Sequence, residues 1–70
     1  MNARRTWSVE QIRALGVTTD LVTAGSVLGI GRTTAYRLAQ VGQFPVPVRR
    51  LGHRYQVLVG HLLRAVDVEP

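Results

Sequence analysis

Residues 21–41, LVTAGSVLGIGRTTAYRLAQV, decide the predicted fold of this chain, because they contain two short helical patterns separated by Gly29, Ile30 and Gly31. In the first pattern, the residues that share one helical face are apolar or small: Leu21, Ala24, Val27 and Leu28. Asp20 can cap this helix, and Gly29 can adopt the left-handed conformation that ends it. Ile30 is expected to plug the turn, with Gly31 as the N-cap of the next helix. The stretch therefore predicts a helix-turn-helix.

The second pattern, residues 32–41, has two different faces. One face is small or apolar and is expected to point inward: Thr34, Ala35, Leu38 and Val41. The small residues Ala24 and Gly25 of the first pattern would let this helix pass close by. The opposite face carries hydrogen-bonding groups: Thr33, Tyr36, Arg37 and Gln40.

These outward side chains match the hydrogen-bonding groups of DNA. Arg32 and Arg37 can each donate two hydrogen bonds to guanine or to a phosphate, and Gln40 can pair with adenine. The hydroxyl and methyl groups of Thr33 suit either a base edge or a backbone oxygen. The second helix is therefore predicted to be the one that touches DNA.

The distribution of charge supports a polyanionic partner. All nine basic residues are arginine, and the net charge of the chain is +5. Between residues 21 and 66 there are six arginines and no acid, so the four acids are confined to the flanks. A basic centre of this kind favours a surface that faces a polyanion. A generally arginine-rich proteome is the alternative, and it explains the absence of lysine but not the absence of acids.

Composition also limits the class of protein. Seventy residues predict one small domain. The chain has no cysteine, and His53 and His61 alone do not make a structural zinc site. There is no nucleophile with a base, carboxylate pair, metal cluster or phosphate-cradling loop, so we expect neither catalysis nor a cofactor. No apolar run reaches the roughly 18 residues of a membrane span, and we expect a cytoplasmic protein.

A first short helix is predicted over residues 8–15. Ser8 and Gln11 have the spacing of a capping box, and Gly16 can end the helix. Helical spacing relates three apolar residues: Val9, Ile12 and Leu15. Trp7, just before the cap, is expected to pack on the core rather than to bind a partner.

After Gly42 closes the second helix of the pair, the pattern becomes extended. Residues 46–51 and 54–58 flank a Gly-His turn, which predicts a two-stranded hairpin with Pro47 restricting its first strand to an edge. Its apolar face would comprise Phe44, Val46 or Val48, Leu51, Tyr55 and Val57. Its tip would gather Arg49, Arg50, His53 and Arg54. This basic wing suits a phosphate-lined groove; the alternative is a hairpin end that needs charge only to stay soluble.

The remaining segments complete the domain. Residues 59–66 regain helical spacing, with Leu62, Leu63 and Val66 inward and Arg64 outward, and His61 is expected to be a half-exposed surface residue. The predicted organisation is a flexible basic tail over residues 1–7, which contains Arg4 and Arg5, a domain over residues 8–66, and a short acidic tail over residues 67–70.

Three sequence motifs carry a resemblance to a known family. They are the L-G-I-x-R-x-T-x-Y-R-L core within residues 24–38, the G-x-F-P segment at residues 42–45, and the G-H-R-Y turn at residues 52–55. On these motifs the chain resembles the small winged helix-turn-helix excisionases, which are related to the DNA-binding domain of MerR-type regulators. Members from actinobacterial integrative elements and prophages are the most similar. Family members usually carry serine where Gly31 stands.

The resemblance implies a mainly α fold with a small β-hairpin, and the function of a recombination directionality factor. Such proteins bind repeated sites beside an attachment site, bend the DNA, and bias a tyrosine or serine integrase towards excision. The implied partners are double-stranded DNA, an integrase and further copies of the chain arranged head to tail. Carried over by position, Arg32, Thr33, Tyr36 and Arg37 would enter the major groove. The wing residues Arg49, Arg50, His53 and Arg54 would reach the adjacent minor groove or its phosphates.

Two other functions stay open. A small transcription regulator would use the same fold as a dimer on an inverted repeat, for which a further hydrophobic helix or coiled coil is expected; the sequence up to Pro70 shows no such pattern. A protein-interaction adaptor would instead grip its partner through Trp7 and the first helix.

Overall fold

The computed structural model describes residues 7–67 and has four helices and a three-stranded antiparallel sheet, so the architecture is mixed α/β. In chain order the elements are α1 (Val9–Arg13), β1 (Thr18–Asp20), α2 (Leu21–Leu28), α3 (Arg32–Gln40), β2 (Arg49–Leu51), β3 (Arg54–Leu58) and α4 (Val59–Asp67). The predictions for the tail with Arg4 and Arg5, and for residues 68–70, lie outside the described residues.

Side-chain caps begin the first two helices, as predicted. The Oγ of Ser8 accepts a hydrogen bond from the N–H of Gln11 at 3.0 Å, and the Oε1 of Gln11 accepts one from the N–H of Ser8 at 2.9 Å. This reciprocal pair is the capping box of α1. At the start of α2, Oδ1 of Asp20 accepts a hydrogen bond from the N–H of Thr23 at 3.2 Å. Both caps satisfy backbone donors that lack a partner within the helix.

The turn between α2 and α3 has the predicted geometry. Gly29 ends α2 with φ of +79°, and the next N–H, that of Ile30, donates to the carbonyl of Gly25 at 2.7 Å. Gly31 is the N-cap of α3 and makes no side-chain hydrogen bond there. A Cβ at Gly25 would lie 3.0 Å from the carbonyl oxygen of Ile30 and 3.2 Å from the Cβ of Ala35. The predicted close approach of the two helices is therefore confirmed, and it depends on glycine.

The sheet has one strand more than was predicted. β3 is central, with β1 and β2 antiparallel on its two sides, so β2 is an edge strand as expected. β2 and β3 form the predicted hairpin, and Gly52 in its turn has φ of +62°. The first hairpin strand begins at Arg49 rather than at Val46, because Pro47 has no N–H for the ladder. β1 was not predicted, since three residues are too few for an alternating pattern.

The core combines all four helices with β3. Its buried apolar side chains are Ile12, Leu21, Ala24, Val27, Ala35, Val46, Val57, Val59 and Leu62. Phe44, Val48, Tyr55, Leu63 and Val66 are partly buried against them, as predicted. Arg64 is exposed on α4, also as predicted. Ala35 is the buried residue that joins α3 to the core, and most other side chains of α3 are exposed to solvent.

Two residues expected on the inner face of α3 are exposed. Thr34 is exposed, and Val41 retains 60% of its accessible surface. α3 ends at Gln40, so Val41 no longer follows the helical spacing, and Ala39 takes part in the packing instead. The inner face of α3 is therefore narrower than was predicted.

The prediction that Leu51 belongs to the apolar face of the hairpin is also wrong. Leu51 is 46% exposed because it pairs with Arg54 across the hairpin, and side chains alternate between the faces of a strand. Leu51 thus lies on the face opposite to Tyr55. Val9 is 39% exposed at the start of α1, which ends at Arg13 rather than at residue 15.

Candidate nucleic-acid interface

α3 turns the predicted polar face outward. Four of the five predicted residues on this helix are polar and exposed: Arg32, Thr33, Arg37 and Gln40. The fifth, Tyr36, keeps 41% of its accessible surface. Because α3 is fixed to the core through Ala35, these five side chains are presented by a rigid element. The helix thus supplies guanidinium, hydroxyl and amide groups to solvent along one side.

The strand register of the hairpin places the four predicted wing residues in different positions, on the two faces of the sheet and in the turn. Tyr55 pairs with Arg50, and Gln56 pairs with Arg49, so alternation places Arg50 and Tyr55 on one face of the sheet and Arg49 on the other. Arg54 opposes Leu51 and belongs to the same outer face as Arg49. His53 lies in the turn, and all four wing residues are exposed. The four residues were predicted to form one cluster at the hairpin tip, whereas only Arg50 shares the face of Tyr55.

Aromatic contacts join α3 to the hairpin. The ring centroids of Tyr36 and Tyr55 are 6.0 Å apart, with their planes tilted by 59°. The guanidinium carbon of Arg50 lies 5.7 Å from the centroid of the Tyr55 ring. The Nε of Arg50 donates a hydrogen bond to the carbonyl of Gly52 at 3.1 Å. The polar helix and the basic hairpin therefore form one continuous surface, called here the basic surface: Arg32, Thr33, Tyr36, Arg37, Gln40, Arg50, His53, Arg54 and Tyr55.

Two clefts run between these elements. The first is lined by Tyr36, by His53 and Arg54 of the hairpin, and by residues of β1 and the start of α2. The second is lined by Gln40 and Arg50 together with apolar residues that include Phe44 and Pro47. Four wing or helix residues line neither cleft: Arg32, Thr33, Arg37 and Arg49. Tyr36 thus shares a cleft with the hairpin tip, and Gln40 shares the other cleft with Arg50.

Asp20 is an acid at the margin of the basic surface. It lines the first cleft together with Tyr36, His53 and Arg54. Among the described residues that line the two clefts, Asp20 is the one acid. One of its oxygens is engaged by the N–H of Thr23. The carboxylate therefore serves as a cap and lines the same cleft as Arg54.

Neither Asp20 nor Tyr55 was predicted to lie at this surface. Asp20 was explained as a cap, and Tyr55 was assigned to the apolar face of the hairpin. The two-residue turn could have predicted the position of Tyr55, because a pair between residues 51 and 54 places residue 55 opposite Arg50. No local pattern indicates Asp20, whose position depends on the pairing of β1 with β3.

Trp7 and His61 were predicted to lie outside the binding site, and the structure places both outside the basic surface. The Nε1 of Trp7 donates to the Oγ of Ser26 at 3.0 Å, and the half-buried ring packs against the core. This confirms the prediction that Trp7 packs, and it attaches residue 7 to the domain rather than to the tail. His61 is half-buried, as expected.

Within residues 7–67, no group of three or more His, Cys, Asp and Glu side chains is arranged to hold a metal ion. None of the helices in this range combines the length and apolar character that crossing a membrane requires. Comparison of the chain with protein-family models, with curated proteins and with solved structures gave no match.

Proposed function

We propose that this protein binds double-stranded DNA through the basic surface. In this proposal α2, the glycine turn and α3 form a helix-turn-helix, with α3 in the major groove, and the β2–β3 hairpin is a wing against the adjacent minor groove or backbone. The contact between Tyr36 and Tyr55 carries the proposal, because it joins the polar helix to the basic hairpin on one side of the molecule.

The dimensions and chemistry of α3 support insertion into a groove. An α-helix with its side chains is about 10–12 Å across, and the major groove of B-DNA, which is about 12 Å wide, admits one such helix. Arg37 and Gln40 are exposed near the C-terminal end and can read guanine and adenine. Arg32 lies in the first turn, where free backbone N–H groups also favour a phosphate.

The charge pattern supports the same partner. The hairpin contributes Arg50 and Arg54 to this surface, and no acid occurs in the sequence between residues 21 and 66. A surface without a partner usually mixes both signs of charge. Phosphate contacts of this kind supply sequence-independent affinity, whereas α3 would supply the choice of sequence.

We propose the role of a recombination directionality factor, on the basis of the motifs at residues 24–38, 42–45 and 52–55. A single small module buries roughly 600 to 1,000 Å² on DNA, so one copy is expected to bind with modest affinity. Copies on repeated sites, arranged head to tail, would raise occupancy and bend the DNA for an integrase. Such a protein would act in the cytoplasm, on the nucleoid.

Selection from randomised duplexes, followed by footprinting and a bending assay, tests this proposal. A directionality factor is expected to protect directly repeated sites, to occupy them cooperatively and to bend them. A palindromic site occupied by one dimer without bending would contradict that role and favour a transcription regulator.

Salt dependence tests the DNA interaction itself. Arg54→Ala should reduce the slope of log K against log salt concentration by about one unit, because one phosphate contact is lost. Arg64→Ala removes the same charge from α4 and should leave the slope unchanged. No binding to any duplex at low salt would contradict the proposed function as a whole.

A further inference from the structure

Three side chains form a continuous row across the basic surface. The guanidinium of Arg50 lies over the ring of Tyr55, with 5.7 Å between the guanidinium carbon and the ring centroid. Tyr55 contacts Tyr36 of α3, with 6.0 Å between ring centroids. The Nε of Arg50 also donates to the carbonyl of Gly52 in the hairpin turn at 3.1 Å. The row therefore connects the turn of the hairpin with the middle of α3.

Arg50 differs from its neighbour Arg49 in this respect. Both are exposed arginines of β2, but Arg49 opposes Gln56 on the outer face of the sheet, while Arg50 opposes Tyr55. The guanidinium of Arg50 is held by an aromatic face and by one carbonyl oxygen. Because the hydrogen bond uses Nε, the two terminal Nη groups retain the fork that matches two phosphate oxygens.

We infer that Tyr55 is a positioning residue, which fixes Arg50 as a preformed phosphate clamp and sets its distance from α3 through Tyr36. This inference rests on the proposed function. Holding the side chain before binding removes part of the entropy that ordering a free arginine would cost. It also gives Tyr36 a defined part: its ring supports the clamp, and its hydroxyl is not required for that support.

The free protein provides the first test. Nuclear magnetic resonance should show the side-chain protons of Arg50 shifted by the ring current of Tyr55, and slow exchange of its Nε–H with solvent. Tyr55→Phe keeps the ring and should preserve both signatures, whereas Tyr55→Leu should abolish them. Thermal unfolding of each variant checks that the domain still folds. Ordinary random-coil shifts for Arg50 in the wild-type protein would overturn the inference.

The second test compares two arginines of the same strand. Arg50→Lys keeps the charge but loses the planar guanidinium over the ring and the Nε hydrogen bond, and it should weaken binding to a random-sequence duplex by about three- to tenfold. Arg49→Lys is the matched control and should change affinity little. The salt slope should stay the same in both variants, because the number of charges is unchanged.

A second probe separates this inference from the proposed function. Heparin is a polyanion without bases, and Arg50→Lys should weaken heparin binding more than Arg49→Lys does. If both variants weaken duplex binding equally, the inference is wrong and the proposed function stands. If the Arg50 effect appears with heparin while the wild-type protein shows no affinity for duplex DNA, the clamp stands and the proposed function fails.

Discussion

Arg37 is exposed in the last turn of α3, on the side that carries Thr33 and Gln40. If it reads a guanine, Arg37→Ala should weaken binding to the selected site by about 1 to 3 kcal/mol and hardly affect binding to unrelated duplexes. Arg64→Ala is the charge-matched control, because Arg64 is an exposed arginine of α4. Fluorescence anisotropy with both duplexes measures the difference. An equal loss on every sequence would assign Arg37 to a phosphate.

Gly25 determines how closely α3 approaches α2. Gly25→Ala places a Cβ 3.0 Å from the carbonyl oxygen of Ile30 and 3.2 Å from the Cβ of Ala35, so the turn or the helix must move. We expect a loss of about 1 to 3 kcal/mol in the free energy of unfolding. Each kcal/mol should lower the midpoint of thermal unfolding by about 4–8 °C.

Gly60→Ala is the matched control for this substitution. Gly60 lies in α4, and a Cβ there would meet nothing within 4 Å. The variant should be more stable than the wild type by about 0.4–1 kcal/mol, since it reduces the freedom of the unfolded chain. If both alanine variants have the same stability, the close approach at Gly25 does not limit packing.

At the scale of elements, the parts with local signals were predicted and the parts that depend on distant pairing were not. The caps at Ser8 and Asp20 and the turn at Gly29 follow from short-range hydrogen bonds, and all three are confirmed. β1 exists only because Thr18 and its neighbours pair with β3, far along the chain. Three residues are too few for a sequence pattern to indicate that pairing.

The candidate site shows the same division. The outward face of α3 follows from helical spacing, and its side chains are exposed as expected. The wing was predicted to be one basic cluster because its residues are close together in the sequence. The strand register, which decides the face on which each side chain lies, separates them. The pairing of Leu51 with Arg54 fixes which arginine faces α3, and it also explains why Leu51 lies outside the core. Register in a hairpin with a two-residue turn was derivable, whereas the position of Asp20 was not.

The cap of α2 makes an element-scale prediction about binding. Asp20→Asn should keep the hydrogen bond to the N–H of Thr23, because asparagine and aspartate are equally good N-caps. It removes a negative charge that lines the cleft with Arg54, so DNA affinity should rise by about 0.2–1 kcal/mol at low salt. Glu10→Gln on α1 is the control and should change affinity less. Weaker binding by Asp20→Asn at unchanged stability would show that the carboxylate itself contacts the ligand.

At the scale of the whole molecule, arginines occupy both ends of the central strand. The hairpin turn adjoins Arg54 at the start of β3, while Arg13 and Arg64 line a groove beside Leu58 at its other end. Five residues of strand separate the two ends by roughly 13 Å, given about 3.3 Å per residue. Net charge alone would attract a polyanion to either end, so only the location of binding distinguishes a specific surface from general attraction.

Titration of the isotopically labelled protein with a duplex, followed by nuclear magnetic resonance, locates that binding most directly. We predict that backbone amides of α3, residues 32–40, and of the hairpin turn, residues 51–54, shift together along one binding curve. Amides near Arg13, His61 and Arg64 should change little. Shifts confined to the Arg13 and Arg64 end, or shifts of α3 and the hairpin with different affinities, would contradict the claim that helix and hairpin form one DNA-binding surface.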